Sequence, residues 1–443
     1  MHNEQTTAHI APSEVQEVLG RHLLVDGFDF VMDIEKSHGS WIHDSISGED
    51  YLDMFSMFAS ASIGYNHPYL VEHTSWLGKM AINKPTLADV YSVEYAEFME
   101  VFERVLIPKE LQYAFFISGG TLAVENAMKA AFDWKTRLNM EQGLTQEADI
   151  CIHFQQAFHG RSGYTLSLTN TSDPRKHQYF PKFDWPRIIN PHLHFPITEE
   201  SLEQTERKEK LALLNIEEAI LSNPDRVAAI IIEPIQAEGG DHHFRDEFFV
   251  ALREICDQNN VLLIFDEVQT GVGMTGKTWA FQHFSVVPDL ISFGKKTQVC
   301  GVLANKEKMD RVKNNVFQES SRINSTFGGN FIDMMRLKLI LEVIEKENLV
   351  ENSKEVGEWL LTGLQGLANK YPNEVSNPRG RGLMCAIDLK DTASRDELRV
   401  ELYKKKVILL PCGDKSLRFR PHLNVTKEEI TLALNKIEEA LAN

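Results

Sequence analysis

Several short stretches of this chain are apolar at nearly every position rather than at every second one. They lie within Tyr113–Ile117, Ile150–Phe154, Arg226–Ile232, Val261–Phe265 and Asp289–Phe293. Continuous apolar runs of this length predict strands buried on both faces of a parallel sheet. Between them the spacing changes to the helical one, from Leu122 to Leu138 and in a long stretch beginning near Phe331. The N-terminal region predicts a helix after Pro12, capped by Ser13 with Gln16 three residues on, then strands around Phe28–Asp33 and Ser40–Asp53. Asn170–Thr205 is rich in Pro, Asp and His and reads as an irregular surface excursion. The charge run Glu206–Lys210 reads as the solvated face of a helix continuing to Ser222. Gly271, Gly273 and Gly276 predict a loop before a further helix. Gly380–Leu389 and Lys406–Leu410 predict strands, and Thr426–Ala442 a final helix. The α/β pattern divides into an N-terminal segment (1–75), a large domain (76–330) and a small α+β domain (331–443).

Composition narrows the partners. At 443 residues, with 43% hydrophobic residues, the chain is long enough for two cores. A net charge of −18 argues against a nucleic-acid partner. The five cysteines are scattered without C-x-x-C spacing, which fits reduced thiols better than a disulfide framework or a zinc site. His192 with His194, and His242 with His243, look like ligand pairs, but no acid or cysteine stands at ligand spacing. They are taken as surface histidines, and no metal is expected. No apolar run approaches the length of a membrane helix, and the polar N-terminus lacks a targeting pattern. The expectation is a cytoplasmic protein without a membrane or nucleic-acid partner.

Candidate chemistry sits where two neighbouring strands end. The run Val261–Phe265 stops at Asp266-Glu267, and Asp289–Phe293 delivers Gly294-Lys295-Lys296. In a parallel sheet both ends face one crevice. A carboxylate and an amine placed there are what pyridoxal phosphate requires: a lysine to hold its aldehyde as a Schiff base, and an acid to keep the pyridine nitrogen protonated so that the ring is an electron sink. A strand, the turn Ser118-Gly119-Gly120-Thr121 and a helix start supply free N–H groups and a positive dipole end for a phosphate. Phe158, in a loop after a strand, offers a flat apolar cover for a ring. Arg161 offers a planar fork for a carboxylate.

Phe265-Asp266-Glu267-Val268-Gln269-Thr270-Gly271 with Pro288–Lys295 resembles the signature of the class III (ω-amino) aminotransferases of fold type I. Gly294–Gly301 resembles the lysine-specific branch of that family. The likeness runs from about Phe55 to Leu423; Ser118–Lys129 follows the family's phosphate element but departs from it at Leu122–Val124. The resemblance implies a seven-stranded, mostly parallel sheet with pyridoxal 5'-phosphate as cofactor. It implies Lys295 as its anchor and proton carrier, Asp266 on the ring nitrogen, Gln269 on the phenolate oxygen, Phe158 over the ring, and Gly120 and Thr121 on the phosphate. It further implies that Thr326 reaches the phosphate in a neighbouring subunit, hence a homodimer with shared sites. Arg161 would hold the α-carboxylate of the substrate, while Glu238 masks Arg418 until a second carboxylate arrives. Arg420, two residues on, would face away from Arg418 if the run is a strand. His67 before Pro68 is read as structural. The expected reaction moves the ε-amino group of L-lysine to 2-oxoglutarate, giving 2-aminoadipate 6-semialdehyde and L-glutamate. The neighbouring readings are 4-aminobutyrate or L-ornithine as donor, and a regulatory relative that binds the cofactor without turnover. No G-x-G-x-x-G follows the first strand of the sheet, which sets aside a Rossmann-type nucleotide binder.

Overall fold

Seven strands form the central sheet of the computed structural model, which describes residues 10–83, 86 and 89–442. Across the sheet the order is Tyr113–Ile117, Cys300–Ala304, Leu290–Phe293, Leu262–Asp266, Val227–Ile232, Ile150–Phe154 and Arg187–Ile188. Cys300–Ala304 runs antiparallel to both its neighbours, and the remaining pairings are parallel. Every residue of Val227–Ile232 and Leu262–Asp266 is buried, as continuous apolar runs require. The parallel register sets Asp266 beside Ser292, so the ends of these two strands lie together at one edge of the sheet. Helix Gly120–Glu141 buries Ala123, Val124, Ala127, Ala131, Trp134 and Leu138, a stripe at helical spacing that packs against the sheet.

Two four-stranded sheets lie outside the central one. Met32–His38, Trp41–Asp44, Asp50–Asp53 and Val407–Ile408 form the first, and Val375–Arg381, Met384–Leu389, Ser416–Phe419 and Leu410–Cys412 the second. Val407 pairs in parallel with Leu52, which joins the two ends of the chain. Between Phe55 and Ser60 the backbone makes a left-handed turn: Ser56, Met57, Phe58 and Ala59 all have φ between 42° and 65°. Such residues cost roughly 1–2 kcal/mol each. The turn is held by Asp53, whose Oδ1 accepts from the N–H groups of Phe55 and Ser56 at 2.8 Å each, and by Ser56 Oγ, which donates to Arg420 O at 2.6 Å.

Local expectations needed correction at several points. The opening 3₁₀ turn Pro12–Glu14 is capped at Ala11, whose N–H donates to the Glu14 carboxylate, rather than by Ser13 with Gln16. The first strand starts at Met32, because Phe28 and Phe30 turn inward to stack on each other, Tyr51 and Tyr403. The excursion after Asn170 ends at Thr198, which caps the long helix Glu199–Ser222. Within that helix Glu209 is buried and paired with Arg245, so the charge run is not wholly solvated. The glycine loop leads only into a one-turn 3₁₀ segment, Ala280–His283. Gly380–Leu389 is a hairpin of two strands, Val375–Arg381 and Met384–Leu389, turning at Gly382. His67 is structural, as expected: it caps the helix Pro68–Glu72 and pairs with Glu347. No helix among the described residues is long and apolar enough to cross a membrane.

Candidate active site

At the carboxyl edge of the central sheet lies a cavity of about 290 Å³ lined by Gly120, Thr121, Phe158, Arg161, Glu238, Asp266, Gln269 and Lys295. Of the residues singled out from the sequence, only Arg418 and Thr326 are missing from this wall. Arg418 stands directly behind Glu238. Thr326 is exposed on a turn whose next residue, Phe327, accepts a hydrogen bond from Ser118 N at 3.2 Å.

Asp266 ends its strand almost wholly buried, and three donors fix its carboxylate. Oδ1 accepts from Ser292 Oγ at 3.0 Å and from Val268 N at 3.1 Å, and Oδ2 accepts from His159 Nδ1 at 2.7 Å. A carboxylate has about four acceptor directions, so one remains for a ligand. Burial opposes a charge on His159, but the hydrogen bond and the attraction of Asp266 outweigh it and raise its pKa. Sequence reasoning missed His159 and Ser292. Ser292, the single polar residue inside the apolar run Leu290–Phe293, was the available signal for the second.

Lys295 follows Gly294 and sits at φ 54°, an uncommon conformation for a side chain of its size. Burial lowers its pKa to about 8, and the positive charges of Arg418 and Arg420 push the same way. The lowered value gives this lysine a far larger neutral fraction near physiological pH than an ordinary lysine has, and the neutral amine is the form that attacks a carbonyl. Lys296 points elsewhere and donates to Gln269 O at 3.3 Å.

Helix Gly120–Glu141 opens on Gly119 (φ 100°) without a side-chain cap, so its first N–H groups are available to an anion. Gly160 lies against it. A Cβ there would stand 1.8 Å from Thr121 Oγ1, so the loop that carries Phe158 and Arg161 approaches the helix as closely as it does only because this residue is glycine. The Arg161 guanidinium lies 5.9 Å over the Phe158 ring and makes no ion pair among the described residues.

On the far wall, Glu238 Oε2 accepts from Arg418 Nη2 at 2.8 Å, while Oε1 accepts from Lys176 Nζ, a partner the sequence reading did not include. Burial raises the pKa of Glu238, but these two cations more than offset it and hold it below the ordinary value. Arg418 Nη1 is buried without a hydrogen-bond partner, so half of its fork is unused. Arg420 does not face away. Side chains two positions apart along an extended chain share a face, so Arg420, just past the strand Ser416–Phe419, lies with Arg418 and reaches the same segment, 238–241. Its guanidinium pairs with Asp241, and its Nε donates to Gln269 Oε1 at 3.0 Å. Arg420 holds the amide oxygen of Gln269, a residue of the cavity lining whose NH₂ can only donate.

Glu233 is fully buried, which raises its pKa to about 7; it accepts from Phe158 N and Ala237 N and so ties the two walls together. The paired histidines are not surface residues throughout. His192 stacks on His242 at 4.0 Å and His243 is buried; only His194 is exposed. Among the described residues no group of three metal-ligating side chains occurs. All five cysteines are buried and unpaired.

A fixed buried acid, a lysine with a lowered pKa, a ring-sized aromatic, an uncapped helix start and a donor amide all face one space. Each matches one part of pyridoxal 5'-phosphate, so the residues present fit the group. Fold and site together define a pyridoxal-phosphate-dependent transferase. The chain belongs to the class III aminotransferases: the family model matches residues 25–441. It is 50% identical over 97% of its length to L-lysine-epsilon aminotransferase of Mycobacterium tuberculosis, covering 96% of that protein. It is 46% identical over 97% of its length, and 96% of the relative, to the protein of that name from Amycolatopsis lactamdurans. A solved structure of lysine aminotransferase from M. tuberculosis in the internal aldimine form superposes with a TM-score of 0.95 at 50% identity, covering 98% of this chain and 99% of the other.

Proposed function

We propose that the chain transfers the ε-amino group of L-lysine to 2-oxoglutarate by a ping-pong route, as a cytoplasmic homodimer. The observation that carries this is the pairing of Arg418 with Glu238 across the cavity from an unpaired Arg161. One arginine is open and one is masked, which suits an enzyme whose two substrates carry, in turn, one carboxylate far from the reacting end and two carboxylates. The names of the relatives at 46–50% identity support lysine as the donor.

Bound in the cavity, pyridoxal phosphate supplies an electron sink for the carbon that loses or gains a proton. Asp266 holds the ring nitrogen protonated, with His159 and Ser292 fixing the carboxylate. Gln269 donates to the phenolate oxygen because Arg420 has taken its carbonyl. Gly120 and Thr121 bind phosphate through the helix start, Phe158 covers the ring, and Thr326 of each subunit serves its neighbour's site. Lys295 would hold the cofactor's aldehyde and, as acid and base, would move the proton to and from the substrate carbon. Arg161 holds the α-carboxylate of lysine so that the distal amine enters. In the second half-reaction Glu238 leaves Arg418, and the two arginines bind the two carboxylates of 2-oxoglutarate.

The test is a half-reaction screen. Holoenzyme mixed separately with lysine, ornithine and 4-aminobutyrate should pass to the pyridoxamine form fastest with lysine. Faster conversion by either of the others would replace lysine as the donor.

A further inference from the structure

Glu238 belongs to two cavities at once. It lines the cofactor cavity, and on its other side it lines a second space of about 390 Å³ together with Lys176, Arg175, Arg395, Cys412 and Gly413. Its main chain is anchored, since Glu238 O accepts from Gly413 N at 2.9 Å, so only the side chain is free to change position. Its two carboxylate oxygens are divided between two cations: Arg418, which is buried behind the cofactor cavity, and Lys176, which lines the second space.

We propose that Lys176 is the seat that Glu238 retains when it releases Arg418, so that Lys176 is a positioning residue for the step that uses a dicarboxylate. This rests on the reading of Glu238 as a switch. A carboxylate leaving a buried arginine would otherwise stand unpaired in a poorly solvated wall, and an unpaired buried charge is costly. With Lys176 the charge is never unpaired: Glu238 gives up one of two cations and turns about its side-chain torsions into the second space. Lys176 suits this task because its ammonium is a compact charge on a flexible stem, which follows a moving carboxylate better than a planar fork does. It ends the short 3₁₀ turn Pro174–Lys176, where Asp173 accepts from Arg175 N and fixes the backbone from which that stem extends.

The experiment separates the two half-reactions by stopped flow in Lys176→Met and Lys176→Gln, both of which remove the charge, with Lys176→Arg as the conservative control. The 2-oxoglutarate step is started from enzyme loaded directly with pyridoxamine 5'-phosphate, so it does not depend on which amine is the donor. Loss of one charge-assisted hydrogen bond from the released state should raise the 2-oxoglutarate concentration giving half-maximal rate by about ten- to a hundredfold. The limiting rate and the lysine step should fall far less, and Lys176→Arg should recover most of the loss. In a Glu238→Ala background Lys176→Met should add almost nothing. Equal losses in both half-reactions, no change in the 2-oxoglutarate step, or losses that add to those of Glu238→Ala would each overturn the proposal. If lysine fails as a donor while the 2-oxoglutarate step shows this pattern, the inference stands and the choice of donor falls.

Discussion

His159 Nδ1 stands 2.7 Å from Asp266 Oδ2, with both side chains buried beneath the cofactor cavity. The imidazole orients the acid proposed to hold the ring nitrogen. Asp266→Asn should retain bound cofactor but lower turnover by about a hundredfold or more, because an amide cannot hold that nitrogen protonated. His159→Gln should cost less, about tenfold, since it weakens the orientation of the acid and leaves its charge. Steady-state rates at saturating cofactor decide this, and near-normal turnover in Asp266→Asn would remove Asp266 from that role.

Lys295 should carry the borohydride-reduced cofactor label, and Lys295→Ala should abolish transamination. The pH dependence of reconstitution has a definite sign. The amine must be neutral to attack the cofactor aldehyde, and its pKa is lowered to about 8. The rate at which apo-protein takes up pyridoxal phosphate should therefore rise with pH through a midpoint near 8, not near 10.5. A label found on Lys296 would remove the assignment.

Glu238→Ala leaves Arg418 unmasked at all times. The bare arginine should compete with Arg161 for the α-carboxylate and let lysine bind reversed, slowing the first half-reaction by about tenfold. Transfer to 2-oxoglutarate should stay largely intact. A loss confined to the 2-oxoglutarate step would take Glu238 out of the mechanism.

Arg420→Met should destabilise the protein by about 3–5 kcal/mol, because it strands Asp241 as an unpaired buried charge. Arg420 and Asp241 are 2% and 0% exposed, so water does not replace the lost partner. Denaturant unfolding measures the loss, and a change below about 1 kcal/mol would show that Asp241 relaxes to a new partner.

The strands that matter most were legible because each is short, continuous in apolar residues and ended by chemistry: Leu262–Asp266 and Leu290–Phe293 are the examples. Resemblance supplied the residues around them, and the Glu238–Arg418 pair lies where it was expected. Residues brought in by tertiary contact alone were not legible. Lys176 lies 62 positions from Glu238, and His159 lies 107 from Asp266, with no periodicity linking either pair. Arg420 was misread because residues two apart along a strand share a face, whereas the expectation set Arg418 and Arg420 on opposite faces. The buried histidines were misread for a related reason: hydrophilic composition marks a surface only when no partner waits inside, and His192 and His242 find each other.

The left-handed turn after Asp53 bears on how the chain is made. Its strained residues are held against the last strand through Ser56 Oγ and Arg420 O, groups 364 positions apart, and Arg420 N donates to Met54 O at 2.7 Å. During synthesis the first segment emerges long before the partner that stabilises it. Asp50–Asp53 can pair early with Trp41–Asp44, but its other edge and the turn after it must wait for the residues around 407–420. Arg418 and Arg420 arrive in that same final stretch, so an interrupted chain holds Asp266 and Lys295 but neither arginine. The order of translation thus keeps a truncated product from acquiring a complete substrate pocket.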